Sequence, residues 1–124
     1  MKTSRDPRHQ RRQDIVQQLY ASSFHTQPAS DDKKLAEILS NLEDLDSIIK
    51  TIAPEFPVDK INRVDLAILR LGVYELKIEQ KEPAKVIIDE AIELAKEFGG
   101  DSSPAFVNGS LGKYLEVLQE NEHS

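Results

Sequence analysis

Three carboxylates crowd the segment DEAIE, at Asp89, Glu90 and Glu93, while Arg8, Arg11 and Arg12 gather near the start of the chain. Neighbouring carboxylates can divide general-acid and general-base work or help hold a metal, but such sites usually recruit a histidine or cysteine. There is no cysteine, and His9, His25 and His123 stand at no metal-ligand spacing. The acidic segment therefore reads as a solvated helix face, and no catalysis, metal or cofactor is expected. The arginines suggest different chemistry. Residues 1–12 hold five basic side chains against Asp6, a charge of +4, on a chain whose net charge is −6. That asymmetry describes either a basic arm on an acidic body or a tail kept soluble by its arginines. Phe106 has two readings as well: a plug at the edge of the core, or a partly exposed aromatic able to stack on an unpaired base.

The elements that must carry these residues are helical throughout. Apolar side chains recur at helical spacing, and no stretch alternates long enough for a strand, so the fold class is all-α. The 124 residues fit one domain over 7–124, with 1–12 as a basic arm running into the first helix. That helix is expected over 7–24, capped by Asp6 and started by Pro7. Arg8 and Arg12 share an azimuth with Val16 and Leu19, which predicts a helix overhanging its core. After a loop at 25–32, one long helix is expected up to Pro54, on Leu35, Ile38, Leu39, Leu42, Leu45, Ile49 and Ile52. EFPVDKIN should hold a short helical turn, with Phe56 as a core plug and Asn62 as a left-handed stop.

The segment 63–78, RVDLAILRLGVYELKI, is apolar around nearly its whole circumference and should be the central helix. Pro83 opens the next helix, which Gly99 and Gly100 end, and Ser103-Pro104 cap and start a last one running to about residue 119. Asn108-Gly109 therefore lies inside a helix, where Gly109 costs roughly 1 kcal/mol relative to Ala and suggests a notch for a close backbone. No apolar run approaches the roughly 18 residues that span a bilayer, and no signal-peptide segment follows the charged start. A cytoplasmic, unprocessed protein is expected.

Four stretches together resemble the NusB family of bacterial transcription antitermination factors: RHQRRQDIVQQLY, RVDLAILRLGVYEL, PAKVIIDEAIELAKEFG and FVNGSL. They cover most of the chain in the family's order. The resemblance implies a bundle of two packed helical subdomains, and no enzymatic activity. It also implies partners: ribosomal protein S10 (NusE), boxA-type single-stranded RNA in nascent ribosomal transcripts, and RNA polymerase with other Nus factors. Free family members can form a homodimer through the surface later used for S10.

Carried over by position, the resemblance assigns Arg8, Arg11, Arg12, Tyr20 and Phe106 to RNA, and Asp65, Tyr74 and Glu75 to S10. Phe106 thereby moves from core plug toward RNA contact. Arg70 is expected to be structural, anchored to an acidic residue of the same domain. The departures are a shortened stretch between Tyr20 and KKLAEIL, where a family helix is reduced or absent, and a basic run diluted by His9 and Gln10. Ala105 also occupies a site that is often basic in relatives. Two other readings compete: a helical interaction module without RNA binding, and the detached N-terminal module of a ribosomal RNA cytosine methyltransferase. The second requires a longer parent protein, since the chain holds no Gly-rich α/β segment for S-adenosylmethionine and no cysteine nucleophile.

Overall fold

Helix boundaries fall where side chains can satisfy the free backbone groups of a first or last turn. In the computed structural model, which describes residues 6–24 and 31–122, Asp6 opens α1 (Pro7–Ser22) by accepting from Arg8 N at 2.9 Å. That backbone bond, with the Arg8 charge, holds the Asp6 carboxyl below its usual range. Asp32 caps α2 (Lys33–Ser40) through Lys34 N and Leu35 N. The remaining helices are α3 (Leu42–Ile52), α4 (Arg63–Tyr74), α5 (Ala84–Phe98) and α6 (Ser103–Glu122). Among the described residues there is no strand, and the chain is all-α as its periodicity requires.

Several expected details differ. The long helix over 35–52 is two helices, because Asn41 turns its side chain back on Glu37 O at 2.7 Å and leaves helical geometry at φ −112°, ψ 12°. Asn62 is not a left-handed stop. Its backbone is extended, and its Oδ1 accepts from Val64 N and Asp65 N, so it caps the start of α4. Phe56 is not a core plug either: it is 48% exposed, with its ring edge-on to Phe106 at 6.0 Å. The helix after Arg63 changes at Glu75–Glu79 into a π turn, closed by Gln80 N on Glu75 O at 2.9 Å with Gln80 left-handed. The expected loop at 25–32 lies mostly outside the described residues, as do Lys2, Arg5, His25 and His123.

Helix α4 is central and touches all five other helices. Ile68, Leu69, Leu71 and Val73 are almost wholly buried, and Ile15 and Leu19 of α1, Leu45 and Ile49 of α3, Leu94 of α5 and Leu111 of α6 complete the core. Each such side chain contributes about 1.5–3 kcal/mol on burial. Two glycines permit close approach. Leu111 packs on Gly72, where an added Cβ would lie 2.8 Å from its Cδ1, and Ser103 packs on Gly99, where a Cβ would lie 2.4 Å from its Oγ. Gly109 is not the expected notch: a Cβ there meets nothing within 4 Å. Arg70 is structural, forming a bidentate pair with Asp46 at 2.8 Å through both contacts.

Candidate RNA and partner surfaces

Helix α1 runs antiparallel to α4, because Arg12 near its start meets Glu75 and Ser23 at its end meets Arg63. It does not overhang its core. Glutamates from the π turn, the turn after it and α5 enclose the basic start, and Arg12 is only 3% exposed. Arg12 Nε lies 3.1 and 3.0 Å from the two Glu75 oxygens, Nη1 reaches Glu90 at 3.2 Å, and Nη2 pairs with Glu82. Burial alone would lower the guanidinium's proton affinity, but the bonds and charges of Glu75 and Glu82 outweigh it and raise the pKa. Lys34 adds pairs to Glu75 at 2.9 Å and Glu79 at 3.1 Å. His9 is buried beside them, with Nε2 2.7 Å from Glu97.

This inward cluster corrects one expectation about the arginines. Arg12 has its donors committed to carboxylates and offers nothing to a phosphate. Arg8 and Arg11 do face outward, with side chains 72% and 52% exposed; Arg8 has only long pairs to Asp6 and Glu82, and Arg11 meets Asp32 at 3.0 Å. They border a cleft of about 350 Å³ that is also lined by Arg12, Lys34, Glu79, Lys81 and Glu82. Five cationic and two acidic side chains line it; Arg11, Arg12 and Lys34 are each paired with a carboxylate, while Arg8 has only long pairs and Lys81 has none among the described residues.

The aromatic candidates lie at the opposite end. Tyr20 is twelve residues beyond Arg8, about 18 Å along the helix, and leaves α1 about 180° around from Arg11. It is 39% exposed and packs edge-on against Phe24 at 5.1 Å, and Arg63 lies over the Phe24 ring at 4.2 Å from its centroid. Near the same end of α4, Phe106 is half-buried and lines a cleft of about 370 Å³ with Phe56, Lys60, Ile61, Asn62, Asp65 and Ser102. Arg8 and Arg11 thus share one site, while Tyr20 and Phe106 sit around the N-terminus of α4.

Of the partner-side candidates, Asp65 is buried at 7% exposed but lines the cleft of about 370 Å³, and Glu75 borders a separate one of about 270 Å³. Burial raises its carboxyl pKa, a hydrogen bond with Ser103 opposes that rise, and Oδ1 has no hydrogen-bond partner. Tyr74 and Glu75 are 3% and 2% exposed and do not present their side chains to a partner. Burial, a hydrogen bond with Glu37 and nearby carboxylates push the Tyr74 hydroxyl up to about 12, and Glu75 is occupied by Arg12 and Lys34. Sequence reasoning missed Phe24, Arg63 and Lys81. Phe24 and Lys81 carried no signal beyond their residue types, and Arg63 was legible only as the start of a helix.

The model of the NusB family matches residues 13–116. A transcription antitermination protein NusB from Campylobacter concisus (strain 13826) is 42% identical over 124 aligned residues, spanning 86% of this chain and 94% of that protein. The solved structure of NusB from T. maritima superposes with a TM-score of 0.76 at 31% identity, covering 91% of each chain. A solved complex of the antitermination factors NusB and NusE with dsRNA also matches, with a TM-score of 0.76 at 19% identity over 90% of this chain and 99% of that one. This last likeness is one of fold alone.

Proposed function

The chain belongs to the NusB family of transcription antitermination proteins, which are not enzymes, and from that premise we propose that it pairs with ribosomal protein S10 and that the pair binds boxA-type RNA. The observation that carries the RNA half is the pair of outward, exposed arginines, Arg8 and Arg11, bordering one cleft on a chain of net charge −6. Phosphate neutralisation by such side chains releases counterions and supplies sequence-independent affinity. Tyr20 and Phe106 supply aromatic faces for bases at the other end of α1, so a bound strand extends along the molecule and is not confined to one pocket. Arg12 is left out of the RNA face and assigned to positioning: it ties α1 to the π turn and α5, and so fixes where Arg8 and Arg11 stand.

For the S10 half, Asp65 is the contact best supported by geometry. Its partly unmatched carboxylate at an aromatic-walled cleft suits a basic side chain of the partner, and the attraction is strengthened by low local hydration. A basic S10 also offsets the repulsion between RNA and the acidic body, so the pair should bind RNA more tightly than the chain alone. The solved NusB–NusE complex with dsRNA gives a fold-level precedent for this assembly. In this reading the complex works in the cytoplasm with RNA polymerase and other Nus factors.

A titration of boxA-type RNA with and without S10 tests both halves. Binding should strengthen with S10 and weaken for Arg8→Ala/Arg11→Ala; affinity unchanged in that variant would remove the cleft from the RNA face. Capture of S10 by Asp65→Lys should be lost, and undiminished capture would remove Asp65 from the partner face.

A further inference from the structure

Lys81 belongs to no motif of the chain, yet the fold carries it to the start of α1. The left-handed Gln80, at φ 51° and ψ 36°, ends the π turn and reverses the backbone there. Lys81 then lines the cleft of about 350 Å³ together with Arg8 and Arg11. It is exposed and has no ion-pair partner among the described residues. The acidic side chains of that cleft are already matched: Glu79 by Lys34, and Glu82 by Arg12. We propose that Lys81 is a third phosphate-binding residue of the RNA face, acting beside Arg8 and Arg11; the proposal rests on the RNA-binding reading above.

The cleft's composition favours a nucleic-acid backbone over a protein segment. All seven lining residues are charged, and none is aromatic or aliphatic. A protein partner would find no apolar pocket for an anchoring side chain, which interface affinity usually needs. A phosphodiester chain needs only charge and hydrogen-bond donors, and Lys81 offers both at the end of a flexible stem. Lys81 also adds back positive charge to a basic run that His9 and Gln10 dilute.

The test is an anisotropy titration of a boxA-type RNA oligonucleotide with the chain and saturating S10, at salt concentrations from 50 to 200 mM. The variants are Lys81→Gln, Arg8→Gln and Lys50→Gln, the last on α3 and outside the cleft. One lost contact to single-stranded phosphate should reduce the slope of log K against log salt by about 0.7, which makes the loss of affinity about 2.6-fold greater at 50 mM than at 200 mM. Lys81→Gln and Arg8→Gln should show this reduction, and Lys50→Gln should keep the wild-type slope. An unchanged slope for Lys81→Gln beside a reduced one for Arg8→Gln overturns the proposal and leaves the RNA reading standing. Weakened S10 capture by Lys81→Gln with the slope intact also overturns it, because the contact would then be to protein. Failure of the wild-type pair to bind the RNA overturns both.

Discussion

Replacing Arg12 with Met removes the one guanidinium shared by Glu75, Glu82 and Glu90 while keeping an apolar side chain of similar length. The cost follows from what remains. Glu82 is partly exposed and can turn to water, and Glu75 keeps Lys34 at 2.9 Å. Glu90, with its side chain 5% exposed, has His9 Nδ1 at 3.5 Å, a contact that offsets its charge only when the imidazole is protonated. Removing one partner of a buried ion pair costs about 3–5 kcal/mol, and the surviving pairs put Arg12→Met near 3 kcal/mol. That is a large share of the roughly 5–15 kcal/mol by which a domain of this size is stable. With a urea slope of about 2 kcal/mol/M, the unfolding midpoint should fall by about 1.5 M. Adding Glu90→Gln should recover about 0.5–3 kcal/mol, since the two residues are coupled. In the folded range the variant should keep the wild-type salt slope for RNA, because Arg12 touches no phosphate. A loss below about 1 kcal/mol together with a slope reduced by about 0.7 would show that Arg12 is a surface contact and refute the buried-cluster account.

Gly72 and Gly109 should separate by their surroundings. Gly109→Ala gains helix propensity in open space and should stabilise by about 0.4–1 kcal/mol, whereas Gly72→Ala pushes on Leu111 and should destabilise by about 1–3 kcal/mol before the propensity gain, both read from thermal melts. The Asp65 pKa is raised in the folded state, so its contribution to stability is fully present below its ordinary value of 3.8 and is lost as pH rises through the folded value. Asp65→Asn should therefore melt higher than the wild type at pH 7 and capture S10 less well; a lower melting temperature would contradict the burial argument. Phe106→Ala and Tyr20→Ala should each cost about 1–3 kcal/mol of RNA affinity with S10 present if the ring stacks on a base, and an unchanged dissociation constant would remove that ring from the RNA face.

Helix order was legible because burial imposes helical spacing on Val64 to Val73 and on Val107 to Leu118, whatever the details of the ends. The break at Asn41 was not. Leu39 and Leu42 keep their three-residue spacing across it, and the cause is a side chain bonding to its own backbone at Glu37. The π turn is similarly hidden, since it moves the register by one residue without changing which side chains are apolar. Among the candidate residues, the basic start was visible but its division was not. Whether Arg12 faces a phosphate or a carboxylate depends on Glu75, Glu82 and Glu90, which lie 63 to 78 residues away and read in isolation as solvated charges. Asp65 stood out as a first-turn acid, while the burial that encloses it, Tyr74 and Glu75 comes from neighbours that periodicity does not name.

Titrating boxA-type RNA against the chain, alone and with saturating S10, decides whether the chain binds RNA as a partner of S10. The chain alone should bind weakly, and the pair with S10 tightly and in a salt-dependent way, with binding weakened by Arg8→Ala/Arg11→Ala. Absence of RNA binding in the presence of S10, with S10 capture intact, would contradict this reading and leave a helical interaction module in its place.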